Sequence, residues 1–192
     1  YKEKEIMAIK VFACAEMASE DVQSYCVSAK FYADDAYAKI HDGALVVLGD
    51  LDTNDAYGTP DYNIYKATKP TAVADEVVIV DLGGINEATV QGNIMKIGNK
   101  LVDLEAGEGI AVRCRRLIKG DRMWMGRGLF TAAPTVGQFA GTTANNTLLT
   151  PSQDAPAAGL KLKVLASKGL TVGQSAYAEG AGYEQLYLCE VK

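Results

Sequence analysis

The chain has 192 residues, a length that suits one domain or two small ones. Its 48% hydrophobic and 22% charged residues are ordinary for a globular protein. The net charge of −5 argues against nucleic acid as the main partner, because phosphate binding needs a basic surface. No apolar run approaches the ~20 residues of a membrane helix, so we expect no membrane contact.

The first residues precede a methionine, Met7, that has the context of a natural start. We interpret residues 1–7 as an N-terminal extension, which is a remnant of cloning, an upstream segment or a processed end. The folded part is then 8–192, and we expect it to be β-rich. It forms either a single domain or two subdomains that divide near 84–94.

The first half of the chain predicts strands and one long loop. Residues 8–14 read as a strand, and 15–24 as one or two helical turns. Apolar residues in 25–40 recur at a four-residue spacing that suits a helix, and others alternate as in a strand, so both interpretations remain open. The apolar run 43–50 predicts a buried strand. The polar stretch 52–70 has no period and predicts a long surface loop or arm.

The second half continues the same pattern. Residues 76–82 predict a strand, 94–118 two or three strands, and 131–159 a second long polar loop. The alternating segments 160–167 and 183–191 predict half-buried strands. Frequent strands separated by turns favour an all-β or β-dominated fold, a sandwich or small barrel, with long polar loops and at most one or two short helices. We expect the two loops to act as arms that reach neighbouring subunits.

One short phrase recurs along the chain. A glycine followed by Asp or Gln stands before a strand candidate at Gly120-Asp121, Gly137-Gln138 and Gly173-Gln174, and more faintly at Gly49-Asp50. Glycine accepts a positive φ at low cost, and Asp or Gln can hydrogen-bond the backbone of a turn. The phrase therefore predicts a repeated turn that leads into a strand.

The residue types that most catalytic sites need are scarce. His41 is the only histidine, and its neighbours Asp42 and Gly43 indicate a turn. Triads, Cys-His dyads and histidine metal sites would all depend on that one residue. The four cysteines show no C-x-x-C spacing and read as small buried hydrophobes or free thiols. We expect no enzyme, no cofactor and no metal site.

A basic cluster surrounds the only tryptophan. It supplies the candidate subunit interface, which consists of Arg113, Arg115, Arg116, Arg122, Trp124 and Arg127. In a strand, Arg113 and Arg115 share one face, opposite Val112, Cys114 and Arg116. The arginines either form a solvated strand face or pair with acidic residues of a neighbouring subunit, such as Asp34-Asp35 or Asp50-Asp52. Contact with nucleic acid fits the acidic total less well.

Several phrases together resemble a known class of protein. They are MAIKVFACAEM, DGALVVLGDL, EVVIVDLGGINE, KGDRMWM and TVGQSAYAEG, spread over most of the chain. The chain resembles small structural proteins encoded in the head modules of tailed phages and prophages, which include capsid decoration proteins and head-fibre bases. This resemblance implies a catalytically inert β-rich protein on the capsid exterior, made in the bacterial cytoplasm. It implies the major capsid protein and copies of the chain as partners, with a trimer expected.

Two other functions remain as alternatives. The chain could be a receptor- or carbohydrate-binding module of a phage or bacterial surface assembly, with Tyr57, Tyr62, Tyr65 and Trp124 as stacking surfaces for a glycan. A hydrolase that uses acidic residues is the remaining alternative, and the missing motifs argue against it.

Overall fold

The computed structural model describes residues 10–53, 63–83, 104–172 and 182–192. Within these ranges the predicted β-dominated fold is confirmed, with one short helix, α1 (Ala18–Asp21), and two 3-10 turns, Gln23–Tyr25 and Arg127–Leu129. The strands, in chain order, are β1 (Phe12–Glu16), β2 (Cys26–Ala33), β3 (Ala36–Tyr37), β4 (Ile40–His41), β5 (Leu45–Leu51), β6 (Ile64–Thr68), β7 (Val78–Asp81), β8 (Glu105–Ala106), β9 (Val112–Arg116), β10 (Arg122–Gly126), β11 (Phe139–Gly141), β12 (Thr150–Ser152), β13 (Leu162–Val172) and β14 (Gly182–Val191).

Five strands close into a small barrel. Their order is β2-β6-β5-β7-β9, and β9 pairs back onto β2. The β2–β6 pair is parallel and the other pairs are antiparallel. Strand β3 extends β2 as a hairpin, and its turn residues Asp34 and Asp35 both have positive φ, which Asp tolerates better than most residues. The ambiguous segment 25–40 is thus mainly strand.

Six other strands form an open sheet in the order β1-β10-β14-β13-β11-β12. It packs on the outside of the barrel. Strands β5 and β7 contribute side chains both to the core between sheet and barrel and to the barrel core. Alternate residues of these strands point in opposite directions, as the period of two requires. Leu45 and Ile79 enter the core beneath the sheet, whereas Val46 and Val78 enter the barrel core.

The predicted division near 84–94 does not match the strand pairing. Strand β7 precedes that region and β9 follows it, yet the two are neighbours in one barrel. The described strands separate into barrel and sheet elsewhere, between 16 and 26 and again between 116 and 122. A boundary at 84–94 would cut the barrel.

The repeated phrase forms the same turn at two places. Gly120 has a φ of 99° and Gly137 a φ of 94°, values that favour glycine. In each turn the glycine N–H donates to a strand carbonyl, that of Val191 at 2.9 Å and that of Val164 at 2.8 Å. A Cβ atom on either glycine would meet nothing within 4 Å, so the backbone conformation alone requires glycine.

The polar residue of the phrase also acts as predicted. An Asp121 oxygen accepts the N–H of Ile118 at 2.9 Å, and the Gln138 side-chain oxygen accepts the N–H of Thr135 at 2.8 Å. Asp121 has a second acceptor oxygen, which takes the N–H of Ala18 at 2.9 Å and so ties α1 to the turn. This second contact is specific to the aspartate copy.

Three details of the prediction were wrong. The faint copy at Gly49 lies inside β5 and has no positive φ, so it is no turn. The loop 52–70 contains β6, whose residues pair within the barrel. The loop 131–159 contains β11 and β12 and packs on its own chain, because the Thr142 hydroxyl donates to the Val73 carbonyl at 2.9 Å. The turn copy at 173–174 and the tyrosines at 57 and 62 lie outside the described residues.

Candidate functional site

His41 and two of the four cysteines are buried within the fold. His41 is buried, with Nδ1 2.9 Å from the Asp42 carbonyl oxygen and Nε2 3.2 Å from the Thr147 hydroxyl. Burial lowers its pKa. The cysteines are free thiols, and burial raises the pKa of Cys114 and Cys189 to about 12. These thiols are therefore protonated and unreactive at neutral pH.

The buried carboxyl groups of Asp42 and Asp52 connect separate parts of the chain through hydrogen bonds. Asp42 accepts the N–H of Phe12 with one oxygen and that of Leu82 with the other, both at 2.8 Å. Because Phe12 belongs to the sheet and Leu82 follows a barrel strand, Asp42 fastens the sheet to the barrel. Asp52 accepts the hydroxyls of Tyr32 and Tyr37 at 2.9 and 3.1 Å. Sequence patterns missed both roles, since nothing distinguishes these aspartates from turn residues.

The predicted arginine cluster is divided between the barrel and the sheet. Arg113, Arg115 and Arg116 lie on β9, whereas Arg122, Trp124 and Arg127 lie on β10 or directly after it. The prediction that Arg113 and Arg115 share a face is confirmed, because both contact the same Asp81 oxygen, at 2.9 and 2.6 Å.

Arg115 has little surface to offer a partner. It is 8% exposed, and its guanidinium also donates to the Ser19 carbonyl at 3.0 Å. The candidate interface is therefore reduced to the five other residues. Asp52, one of its suggested acidic partners on a neighbouring subunit, is likewise buried and held within its own chain, with Lys30 Nζ at 3.2 Å from its carboxylate.

The other four arginines also have partners in the chain but remain accessible. The Arg116 guanidinium lies 3.5 Å from Glu76, and that of Arg122 lies 3.1 Å from Glu16. Arg127 donates to the Phe130 carbonyl at 2.7 Å. Exposed ion pairs contribute little to stability, so the exposed side chains can exchange these partners for others at small cost.

The first accessible surface is the outer face of the six-stranded sheet, here called the sheet face. Met123 and Met125 point from β10 into the core, so Trp124 between them points outward and is half-buried. Cross-strand pairing places four apolar side chains in one row, in the order Ala13, Trp124, Leu188 and Ala166. The Lys168 ammonium lies 4.0 Å from the centre of the Trp124 ring.

A charged row runs beside the apolar row on the same face. Its order across the strands is Glu16, Arg122, Glu190 and Lys163, so acidic and basic side chains alternate. The pKa of Glu190 is lowered, chiefly by a hydrogen bond from Lys192 and further by the charges of Lys192, Arg122 and Lys163. Glu190 is therefore ionised at neutral pH and completes the alternation of charge.

The second accessible surface is an open cleft beside the barrel, here called the barrel cleft. Its volume is about 370 Å³, and it is lined by Asp81, Leu82, Gly83, Ala106, Ile110, Ala111, Val112 and Arg113. Ile110 is 56% exposed, and the Arg113 side chain is 47% exposed. Aliphatic side chains line this cleft beside the ion pair of Asp81 and Arg113, a mixture of apolar and charged groups that also occurs in protein contacts.

The described residues contain no group of three or more His, Cys, Asp and Glu side chains that could hold a metal ion. The single α-helix within those ranges has four residues, far fewer than a membrane crossing requires. Comparisons with family models, with curated proteins and with solved structures found no match to this chain.

Proposed function

We propose that this chain is a non-enzymatic structural protein of a tailed-phage virion. It decorates or stabilises the capsid from outside through contacts with the major capsid protein and with copies of itself. One observation carries the proposal, which is that a β-scaffold holds two separate accessible surfaces, the sheet face and the barrel cleft. A protein that joins a lattice and also its own copies needs two such surfaces.

We assign the capsid contact to the barrel cleft. Ile110 is a large aliphatic side chain that is 56% exposed at its edge, and burial of the exposed part would stabilise a complex by roughly 1–2 kcal/mol. Arg113 adds a cation whose partner Asp81 is fixed in place by the buried Arg115, so the rim is preorganised. The resemblance to phage head proteins supplies the identity of the lattice.

The carbohydrate-binding alternative has less support. A sugar stacks on an open aromatic ring face, and one face of Trp124 is occupied by the Lys168 ammonium at 4.0 Å. Tyr65 is half-buried in the barrel strand β6 and packs against the barrel core. A glycan array would reverse this ranking if it gave specific hits that Trp124→Ala abolished.

Co-sedimentation with capsid shells tests the proposal. Empty shells assembled from the major capsid protein encoded in the same genome are mixed with the chain and pelleted. We expect the wild type to pellet with the shells, and Ile110→Glu to weaken binding by at least about tenfold. Val136→Glu is the matched control, because Val136 is also 56% exposed but lies in the turn before β11.

The two assignments can fail separately. A wild-type chain that stays in the supernatant at every shell concentration would overturn the capsid function. Normal pelleting of Ile110→Glu would overturn the assignment to the barrel cleft and leave capsid binding in place.

A further inference from the structure

We infer that the sheet face is a two-fold contact between two copies of this chain. The two sheets pack face to face, with the symmetry axis parallel to the strands and between β10 and β14. This inference rests on the self-association part of the proposed function and names the surface and the symmetry that accomplish it. It is carried by the order of side chains in the two rows of the sheet face.

The charged row is complementary to itself when its order is reversed. A two-fold axis along the strands keeps each row at its own height and reverses the order of strands across the sheet. The row acidic, basic, acidic, basic then meets basic, acidic, basic, acidic. Glu16 faces the partner's Lys163, and Arg122 faces the partner's Glu190. By symmetry the same contacts form twice, which gives four opposite-charge pairs across the contact.

The apolar row is also matched under the same operation. Trp124 faces the partner's Leu188, and Ala13 faces the partner's Ala166. The two large pairs thus lie next to the axis and the two small pairs at the edges. Packed sheets lie ~10 Å apart, a spacing that side chains of this size fill from both sides. An aromatic side chain near the centre of the contact, with a charged row beside it, matches the aromatic core and polar rim of protein interfaces.

Other arrangements of the same faces are disfavoured. If the order of strands were kept instead of reversed, Arg122 would face the partner's Arg122 and Glu190 the partner's Glu190. Like charges that face each other in an interface strongly oppose association. The alternation therefore selects the reversed order. It also makes the contact sensitive to ionic strength, because salt screens the attraction between the charged rows of the two copies.

The decisive experiment uses a charge-reversed variant. It combines Glu16→Lys, Arg122→Glu, Lys163→Glu and Glu190→Lys with Lys192→Glu, which preserves the contact of residue 192 with residue 190. In this variant the acidic and basic side chains of the charged row exchange places. The row is again complementary to itself when its order is reversed, so the variant should form a dimer with its own copies. In a mixed dimer with the wild type, however, every charged pair would be repulsive.

Native mass spectrometry of the two proteins, alone and after mixing, measures the outcome. We expect dimers of the wild type and of the variant, with mixed dimers reduced at least about tenfold below their random share. A random share of mixed dimers overturns the inference. A wild type that is a monomer or a trimer at about 10 μM also overturns it, and a trimer would agree with the resemblance instead.

Single variants test the inference even if the variant with five substitutions does not fold. Arg122→Glu and Trp124→Ala should each raise the dimer dissociation constant at least about tenfold with the circular dichroism spectrum unchanged. Lys39→Glu, an exposed charge reversal between β3 and β4, should leave it unchanged. Equal dissociation constants for all three variants and the wild type would overturn the inference. A monomeric chain that pellets with capsid shells would contradict only this inference. A dimeric chain that does not pellet with them would contradict only the capsid function.

Discussion

Arg115 Nε lies 2.6 Å from an Asp81 oxygen, and both residues are buried. The pair joins neighbouring barrel strands, and the same guanidinium reaches the carbonyl of Ser19 in α1. Since α1 continues from strand β1 of the sheet, a single side chain links both units of the fold. Loss of a charged partner at a buried site is costly, because water cannot replace the lost hydrogen bonds, and here Arg113 would compensate the Asp81 charge only in part.

Removal of the guanidinium should therefore destabilise the protein strongly. We expect Arg115→Ala to lower the free energy of unfolding by roughly 2–3 kcal/mol, because Asp81 loses one charged partner but keeps Arg113 and the N–H of Gly83. The matched control is Arg116→Ala, which breaks an exposed pair with Glu76 and should cost less than about 1 kcal/mol. Urea unfolding of both variants measures the difference, and equal losses would show that the buried pair has no special role.

The two glycine turns should respond equally to substitution. Gly120→Ala and Gly137→Ala place a side chain at similar positive φ with nothing to contact, so each should cost roughly 1–3 kcal/mol from backbone strain alone. Gly159→Ala should cost more, because its Cβ would clash with the Val73 carbonyl. Unequal losses at the first two positions, measured by urea unfolding, would contradict their equivalence.

The features that sequence could predict depend on local patterns. Alternation and apolar runs located β5, β7, β13 and β14, and the repeated phrase located two turns. Strand β6 was not predicted, because its parallel partner β2 is distant in sequence and its own residues lie among residues that favour turns.

The candidate site was harder to predict, because burial and pairing depend on tertiary contacts. Five arginines near one tryptophan look like one cluster in the sequence. The fold divides them because β9 belongs to the barrel and β10 to the sheet, and Arg115 finds its partner 34 residues away in Asp81. The charged row of the sheet face combines residues from four strands, and no local pattern contains that information.

The cysteines should differ sharply in reactivity. Cys114 and Cys189 are both 0% exposed, and burial raises their pKa to about 12, whereas Cys26 is partly exposed. We expect a thiol reagent at pH 8 to label Cys26 in the folded protein and to leave Cys114 and Cys189 unlabelled. Peptide mass spectrometry after labelling identifies the sites, and denaturant should expose all four cysteines. Rapid labelling of Cys114 would contradict the closed barrel core.

Asp42 should make stability depend on pH. Burial raises the pKa of its carboxyl from 3.8 to about 7, and the nearby charge of Asp81 acts in the same direction, while the N–H donors Leu82 and Phe12 oppose the rise. Between about pH 4 and 7 the folded chain therefore keeps a proton that the unfolded chain releases. The contribution of this group to stability is complete below the unfolded pKa and is lost as pH rises through the folded pKa.

A comparison with Asp42→Asn isolates this contribution. The amide cannot accept both buried N–H groups, so the variant should be less stable than the wild type by roughly 1–3 kcal/mol at pH 4. The deficit should shrink as pH rises towards 7, because only the wild type loses stability through this group. Urea unfolding of both proteins from pH 4 to 8 measures the deficit. A deficit that is constant over this range would indicate an ordinary pKa for Asp42, and one that grows with pH would indicate a carboxylate held ionised by its two N–H donors.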